Sequence, residues 1–362
     1  MHAPVGNEAA QRKTGLGPAS GAGTSRPAIQ RTVESALEAL DRWGIVWALL
    51  RGEAELGSPT GDVDILCAAA DLPRLERALA PLGFGRLRTY GRGSHSFFVA
   101  YDEADDCWIK LDVVTELEFG RYQELRFDSG AGCLARRRRA GRLILLAADD
   151  AFWTLLLHCL LDRRAFSDAQ RRSLLELAAE ASTEGPLALA LEGALSVPRQ
   201  ANELLELVVA GDWTRLERLA PRLRARWVRG SVAVRTRLAR NAFLRRAGTF
   251  PPLCRSGLIL RAAATDSGFA AAVADRWYLA HRFVRQGESR AEAVRILIVS
   301  RWHAARGRLV VLDLPPAPFA SRTINRLSGA SDLRSVVDAT STQALPEATA
   351  QIWRLYLGRG AA

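Results

Sequence analysis

Two aspartates one residue apart, Asp62 and Asp64 in GDVDIL, lie in an apolar run that reads as a strand. Side chains alternate across a sheet, so both carboxylates face the same side, ~7 Å apart along the chain. Like charges that close repel, and each raises the pKa of the other. A divalent cation between them offsets the repulsion. Hard oxygen donors at this spacing suit Mg²⁺, which takes a few carboxylates together with substrate phosphate oxygens. A third acid, Asp112, stands in the middle of IKLDVV, where a carboxylate on a buried strand is otherwise costly. If that strand neighbours DVDIL, the three carboxylates Asp62, Asp64 and Asp112 converge. They would hold two Mg²⁺ ions, one activating a hydroxyl nucleophile and one clamping a triphosphate. The competing reading is a strand end with solvated carboxylates.

The segment before the acids, RGEAELGSPT (51–60), suits the second half of such a site. Gly52 lets the backbone approach a phosphate closely. Turn N–H groups form an anion nest, and Arg51, Ser58 and Thr60 add donors to phosphate oxygens.

The elements that must position these residues follow from periodicity. IQRTVESALEALDR (29–42) reads as a helix stopped at Gly44, and VWALL (46–50) and DVDILC (62–67) read as buried strands. DLPRLERALAPLGF (71–84) reads as a helix with Asp71 as its cap and Pro73 in its first turn. SHSFFVAY (94–101) and CWIKLDVVT (107–115) read as strands of a hairpin closed by DEADD. The prediction is an α+β fold, a small mixed sheet with helices on one face. From about residue 145 the spacing turns helical. Phe152, Leu155, Leu156, Cys159 and Leu160 make one stripe, and further helices are predicted near 168–181, 199–209, 212–225 and 231–246. After TFPP (249–252), GLILRA (257–262) and RLVVLDL (308–314) read as strands with a helical stretch between them. The tail from 315 reads as irregular apart from a helix near 346–357. The predicted domains are a disordered leader (1–28), a catalytic domain (29–130), a helical domain (131–248) and a degenerate α/β or mostly helical C-terminal region (249–362).

With these elements laid out, LLRG, ten residues to DVDIL, a Gly-Phe pair (Gly83, Phe84), FFVAYD and then WIKLDVVTEL resemble the nucleotidyltransferase superfamily of DNA polymerase beta. The likeness is greatest to bacterial members associated with polysaccharide biosynthesis, and it covers roughly residues 31–180. It implies a Mg²⁺-dependent nucleotidyltransferase that binds ATP or another nucleoside triphosphate. The nucleoside monophosphate would pass to a hydroxyl of an acceptor, with a sugar or other small molecule favoured, and pyrophosphate would leave. Asp62, Asp64 and Asp112 match the metal-binding positions of the family, and Gly52 matches its loop glycine. Glu53 stands where relatives commonly carry Ser, a departure that sets a negative charge beside the expected triphosphate. Two alternatives stay open: a scaffold or binding protein that kept the fold and lost turnover, and an RNA- or protein-modifying toxin of the same superfamily. Some relatives continue into a thymidylate-kinase-like domain. GLILRAAATDSG is similar in position to its first strand and P-loop, but the chain has no lysine after Lys110 to serve the phosphates.

Charge and composition set the bounds. The chain has 362 residues and a formal net charge of +11. Its only lysines are Lys13 and Lys110, so the basicity is arginine, as in a GC-rich coding sequence. Residues 31–130 carry 18 acidic and 11 basic side chains, so the positive excess lies outside the predicted catalytic domain. Solvated arginine faces are therefore favoured over a nucleic-acid surface, and RRRRA (136–140) reads as a basic linker. Five cysteines without CxxC spacing read as buried free thiols. No apolar run is long enough for a membrane span, and the expected location is the cytoplasm. Among residues outside the constellation, Lys110 reads as a surface or edge residue facing away from Asp112. His158 reads as a packed helix histidine without an acidic partner, and His95 has no evident role. Arg92 and Ser94 read as either nucleotide contacts or parts of a glycine-rich turn.

Overall fold

The computed structural model describes residues 29–58, 61–87, 91–163, 165–195 and 199–246, helical positions 272 and 275, and the segments 259–263, 281–285, 309–314, 336–337 and 345–358. The fold is α+β. Helix α1 (Arg31–Arg42) starts at Gln30, whose side-chain oxygen accepts from the N–H of Val33. Strand β1 (Trp47–Leu49) follows, then a single 3₁₀ turn (Glu53–Glu55), β2 (Val63–Cys67) and α2 (Leu72–Leu79), with Pro73 in the first turn of α2. Strands β4 (His95–Asp102) and β5 (Cys107–Val114) complete the half of the sheet that the periodicity predicts, and the three-residue β3 (Gly85–Leu87), which it does not predict, pairs at its edge.

Four further short strands lie beyond that prediction. β6 (Leu117–Phe119) and β7 (Leu125–Phe127) pair as a separate ribbon. After the short helix α3 (Gly130–Ala135), β8 (Arg138–Ala140) and β9 (Leu143–Leu145) join the main sheet, whose order is β3-β4-β5-β2-β1-β9-β8. Part of RRRRA is therefore a strand and not a linker. Its arginines are engaged: Arg136 pairs with Asp149 and Asp150, and Arg139 with Asp41.

The sheet is mixed: β2 runs parallel to β5 and β1 parallel to β9, while β1–β2, β3–β4, β4–β5 and β8–β9 are antiparallel. The β2–β5 register fixes what each face carries. Val63 lies beside Leu111 and Ile65 beside Val113, and these four apolar residues share a core with Val33, Leu37, Leu40, Leu75 and Leu79 of α1 and α2. Asp64 lies beside Asp112 on the opposite face.

The helical region comprises α4 (Ala148–Leu157), which continues into a π-helical turn (His158–Arg163), α5 (Asp168–Ala178), α6 (Pro186–Leu195), α7 (Gln200–Val209), α8 (Trp213–Gly230) and α9 (Val232–Arg246). A capping box of Ser167 and Gln170 starts α5. Trp227 of α8 packs edge-on against Phe127 of β7, which ties this region to the first domain. A fully buried carboxylate strengthens the tie. Glu124 accepts from both Arg224 of α8 and the N–H of Tyr122, and Arg237 of α9 donates to the Glu124 carbonyl.

In the C-terminal region, β10 (Ile259–Ala263), β11 (His281–Arg285), β12 (Leu309–Leu314) and β13 (Val336–Val337) form an all-parallel sheet of order β11-β12-β10-β13. β11 falls within the stretch whose spacing suggests only helix. Helix α10 (Leu345–Gly358) then returns to the first domain. The indole N–H of Trp353 donates to the carbonyl of Gly83, and its ring meets Trp108 edge-on. The leader (1–28) and the P-loop-like segment after β10 lie outside the described residues.

Cys67, Cys107, Cys133 and Cys159 are free thiols, and Cys254 lies outside the described residues. Burial pushes the thiols of Cys67 and Cys159 up to about 12, as unreactive core groups require. No helix of the described residues is long and apolar enough to cross a membrane.

Candidate functional site

The polar face of the main sheet opens on a cleft of about 430 Å³, walled by β2 and β5, the α4 helix with its π turn, the loops before β4 and around residue 120, and the end of α9. Asp64 and Asp112 face it side by side from adjacent parallel strands. Burial raises the pKa of Asp64 above the ordinary carboxylate range. Arg51 opposes that rise, while the negative charges of Asp112 and Asp62 add to it. The three acids are thus close enough to influence one another, but only Asp64 and Asp112 line the cleft.

Each acid is matched by a cationic or titratable side chain. Arg51 Nε lies 2.8 Å from Asp64 Oδ2. His95 Nδ1 lies 2.8 Å and 3.0 Å from the two Asp112 oxygens. Lys110 Nζ lies 2.5 Å from Asp62 Oδ2 and 4.4 Å from the centre of the Phe97 ring. The position of Lys110 corrects the expectation that it faces away from Asp112. Residues 110 and 112 are two apart on one strand, so their side chains share a face.

Among the described residues no group of three or more His, Cys, Asp or Glu side chains is gathered for a metal ion. The donors of Asp64 and Asp112 have the chemistry that Mg²⁺ takes when phosphate oxygens complete its shell, and here they are engaged by Arg51 and His95. Asp62, held by Lys110, stands apart from the cleft.

The loop after β1 departs from the expected cradle. Gly52 adopts the left-handed conformation with φ +85°, as a tight turn before the 3₁₀ helix requires. A Cβ at this position would meet nothing within 4 Å. Gly52→Ala should therefore cost only its backbone strain, about 1 kcal/mol in urea unfolding. A loss several times larger would show that the loop packs more tightly than its contacts indicate. Arg51 lines the cleft but is turned onto Asp64. Glu53 and Ser58 are exposed and do not line the cleft, which removes the negative charge of Glu53 from the site. Thr60 lies outside the described residues.

The opposite wall carries groups that the sequence reading passed over. His158 has an acidic partner after all: its Nδ1 lies 2.8 Å from Asp162 Oδ2, one helical turn on, and both residues line the cleft. The other Asp162 oxygen accepts from the N–H of Gly120, which fixes the carboxylate. Both side chains of this i,i+4 pair come from the π turn and line the cleft. His95, read as without context, clamps Asp112, and its Nε2 is buried without a partner. The hydroxyl of Thr154, one turn before His158, also lines the cleft, buried and unpartnered.

At the mouth, Arg92, Arg121 and Arg245 come from three separate elements. Ser94, beside Arg92, is structural: its hydroxyl donates to the Glu116 carbonyl and its N–H to Glu118. Burial, with Arg92 close by, pulls the Arg245 guanidinium down to about 10.

Comparison of the chain with family models, with curated proteins and with solved structures gives no match.

Proposed function

We propose that the cleft is the site of a Mg²⁺-dependent nucleotidyltransferase, in which a hydroxyl of a small acceptor displaces pyrophosphate from a nucleoside triphosphate. The observation that supports this reading is the in-register pair Asp64–Asp112, two carboxylates on parallel strands facing one cleft. Asp64 and Asp112 would hold the ion, which when bound lends Lewis acidity to the α-phosphate. A second ion would need Asp62 to leave Lys110. His95 orients Asp112. His158, held by Asp162 through Nδ1, presents Nε2 as the acceptor for the proton of the incoming hydroxyl, the usual division of roles in an Asp–His pair. The cleft is small enough to favour a sugar-sized acceptor over a nucleic acid strand.

A second reading has its own observation. With Arg51, His95 and Lys110 bonded to the three acids, the face has a balance of partners within the chain as it stands. That balance favours a protein that keeps the fold for binding and has lost turnover.

Titration of the full chain with ATP, in the presence and absence of Mg²⁺, separates the two. The enzyme reading expects Mg²⁺ to tighten nucleotide binding at least about tenfold and pyrophosphate to be released when acceptors are supplied. Mg²⁺-independent ATP affinity that is unchanged in Asp64→Asn would sink it and leave the binding protein.

A further inference from the structure

We propose that Arg92, Arg121 and Arg245 form a phosphate-binding mouth on this cleft, separate from the carboxylate pair. The backbone holds the three together. Arg245 Nε donates to the carbonyl of Gly91 at 2.9 Å, next to Arg92, and Nη1 donates to the carbonyl of Arg121 itself. Arg121 and Arg245 also share one aromatic ring. Their guanidinium carbons lie 5.5 Å and 5.2 Å from the centre of Tyr122. Arg92 stands beside Phe97, 6.0 Å from its ring centre.

None of the three forms an ion pair among the described residues. Of the glutamates lining the same cleft, Glu118 accepts from the N–H of Ser94 and Glu116 from those of Leu117, Ser129 and Gly130; Glu124, outside the lining, is bound by Arg224. Three guanidinium groups brought together without a direct ion pair of their own repel one another. An anion at the rim reverses the sign of that energy. Guanidinium forks match phosphate oxygens two at a time. Arg245 spends three N–H groups on the carbonyls of Gly91 and Arg121 and on the Gln123 side chain, which leaves two of its five for a ligand. The unpartnered Thr154 hydroxyl marks the buried end of the same cleft as awaiting a polar group. The ligand class is a phosphate-bearing anion, either the polyphosphate tail of a nucleotide or a phosphorylated acceptor. This assignment rests on the mouth alone and survives if the carboxylates hold no metal.

The test is calorimetric titration of the full chain, in EDTA, with sodium tripolyphosphate, ATP and ribose 5-phosphate. Tripolyphosphate should bind, and the double variant Arg92→Gln/Arg121→Gln should weaken it about tenfold or more. Both arginines are exposed, so the variant should melt like the parent. Arg92→Lys/Arg121→Lys should recover part of the loss. Asp64→Asn/Asp112→Asn should bind tripolyphosphate as well as the parent does, or more tightly. A control pair on exposed positions of α8, Arg218→Gln/Arg222→Gln, should change nothing. Competition by ATP assigns the mouth to the nucleotide tail. Competition by ribose 5-phosphate alone assigns it to a phosphorylated acceptor. No tripolyphosphate binding at millimolar concentration, unchanged affinity in the Arg92/Arg121 variant, or an equal loss in the α8 control would overturn the proposal.

Discussion

Replacing Glu124 with Ala should cost the fold about 3–5 kcal/mol, the cost of leaving a partner charge uncompensated in a buried pair. The Glu124 carboxylate is fully enclosed, takes two donors from Arg224 and one from the Tyr122 amide, and its residue anchors Arg237 through the backbone. Removing it strips Arg224 of its counter-charge and loosens α8 from the ribbon of β6 and β7, while the bond of Arg237 to the backbone carbonyl remains. Chemical denaturation of the variant should show the lowered midpoint. Arg224→Met in the Glu124→Ala background should recover part of the loss. If Glu124→Ala unfolds within 1 kcal/mol of the parent, the junction between sheet and helices is held by apolar packing alone.

The second large effect concerns Asp64. If the carboxylate pair holds Mg²⁺, Asp64→Asn should lower nucleotidyl transfer by about 10³-fold or more, the several kcal/mol that a Lewis acid contributes. Stability should move the other way. The pKa of Asp64 is raised by burial, so its favourable contribution is fully present below the unfolded-state pKa of about 3.9 and is lost as pH rises through the raised folded value. At neutral pH the metal-free Asn variant should therefore melt at least as high as the parent, although Arg51 loses its partner. Measuring both quantities on one preparation separates chemistry from folding. A variant that loses activity and stability together would make Asp64 a structural ion-pair residue.

The elements that bear the carboxylates were legible because their signals are local. An apolar run interrupted by acids at a period of two places Asp62 and Asp64 on one face. KLDVV is buried enough to demand a strand beside it. The misreading of Lys110 was a matter of parity along that same strand. His158 and Asp162 are four apart on a helix, a spacing present in HCLLD, but their value depends on the cleft they face. Arg92, Arg121 and Arg245 come together only through contacts spanning more than a hundred residues, which no local pattern encodes. PLALALEGAL (186–195) is apolar on nearly every side, so it lacks the periodicity that announces an amphipathic helix. β8 and β9 are three residues each, too short to show any period.

The docking of α10 has a practical consequence. Trp353 sits against Trp108 and Gly83, so a helix nearly a hundred residues beyond α9 in the sequence packs on the first domain. Ending the polypeptide at residue 248, where sequence alone would draw a border, would uncover an indole of the sheet and create a sticky edge. A recombinant fragment meant to isolate the amino-terminal half should carry residues 345–358 as well.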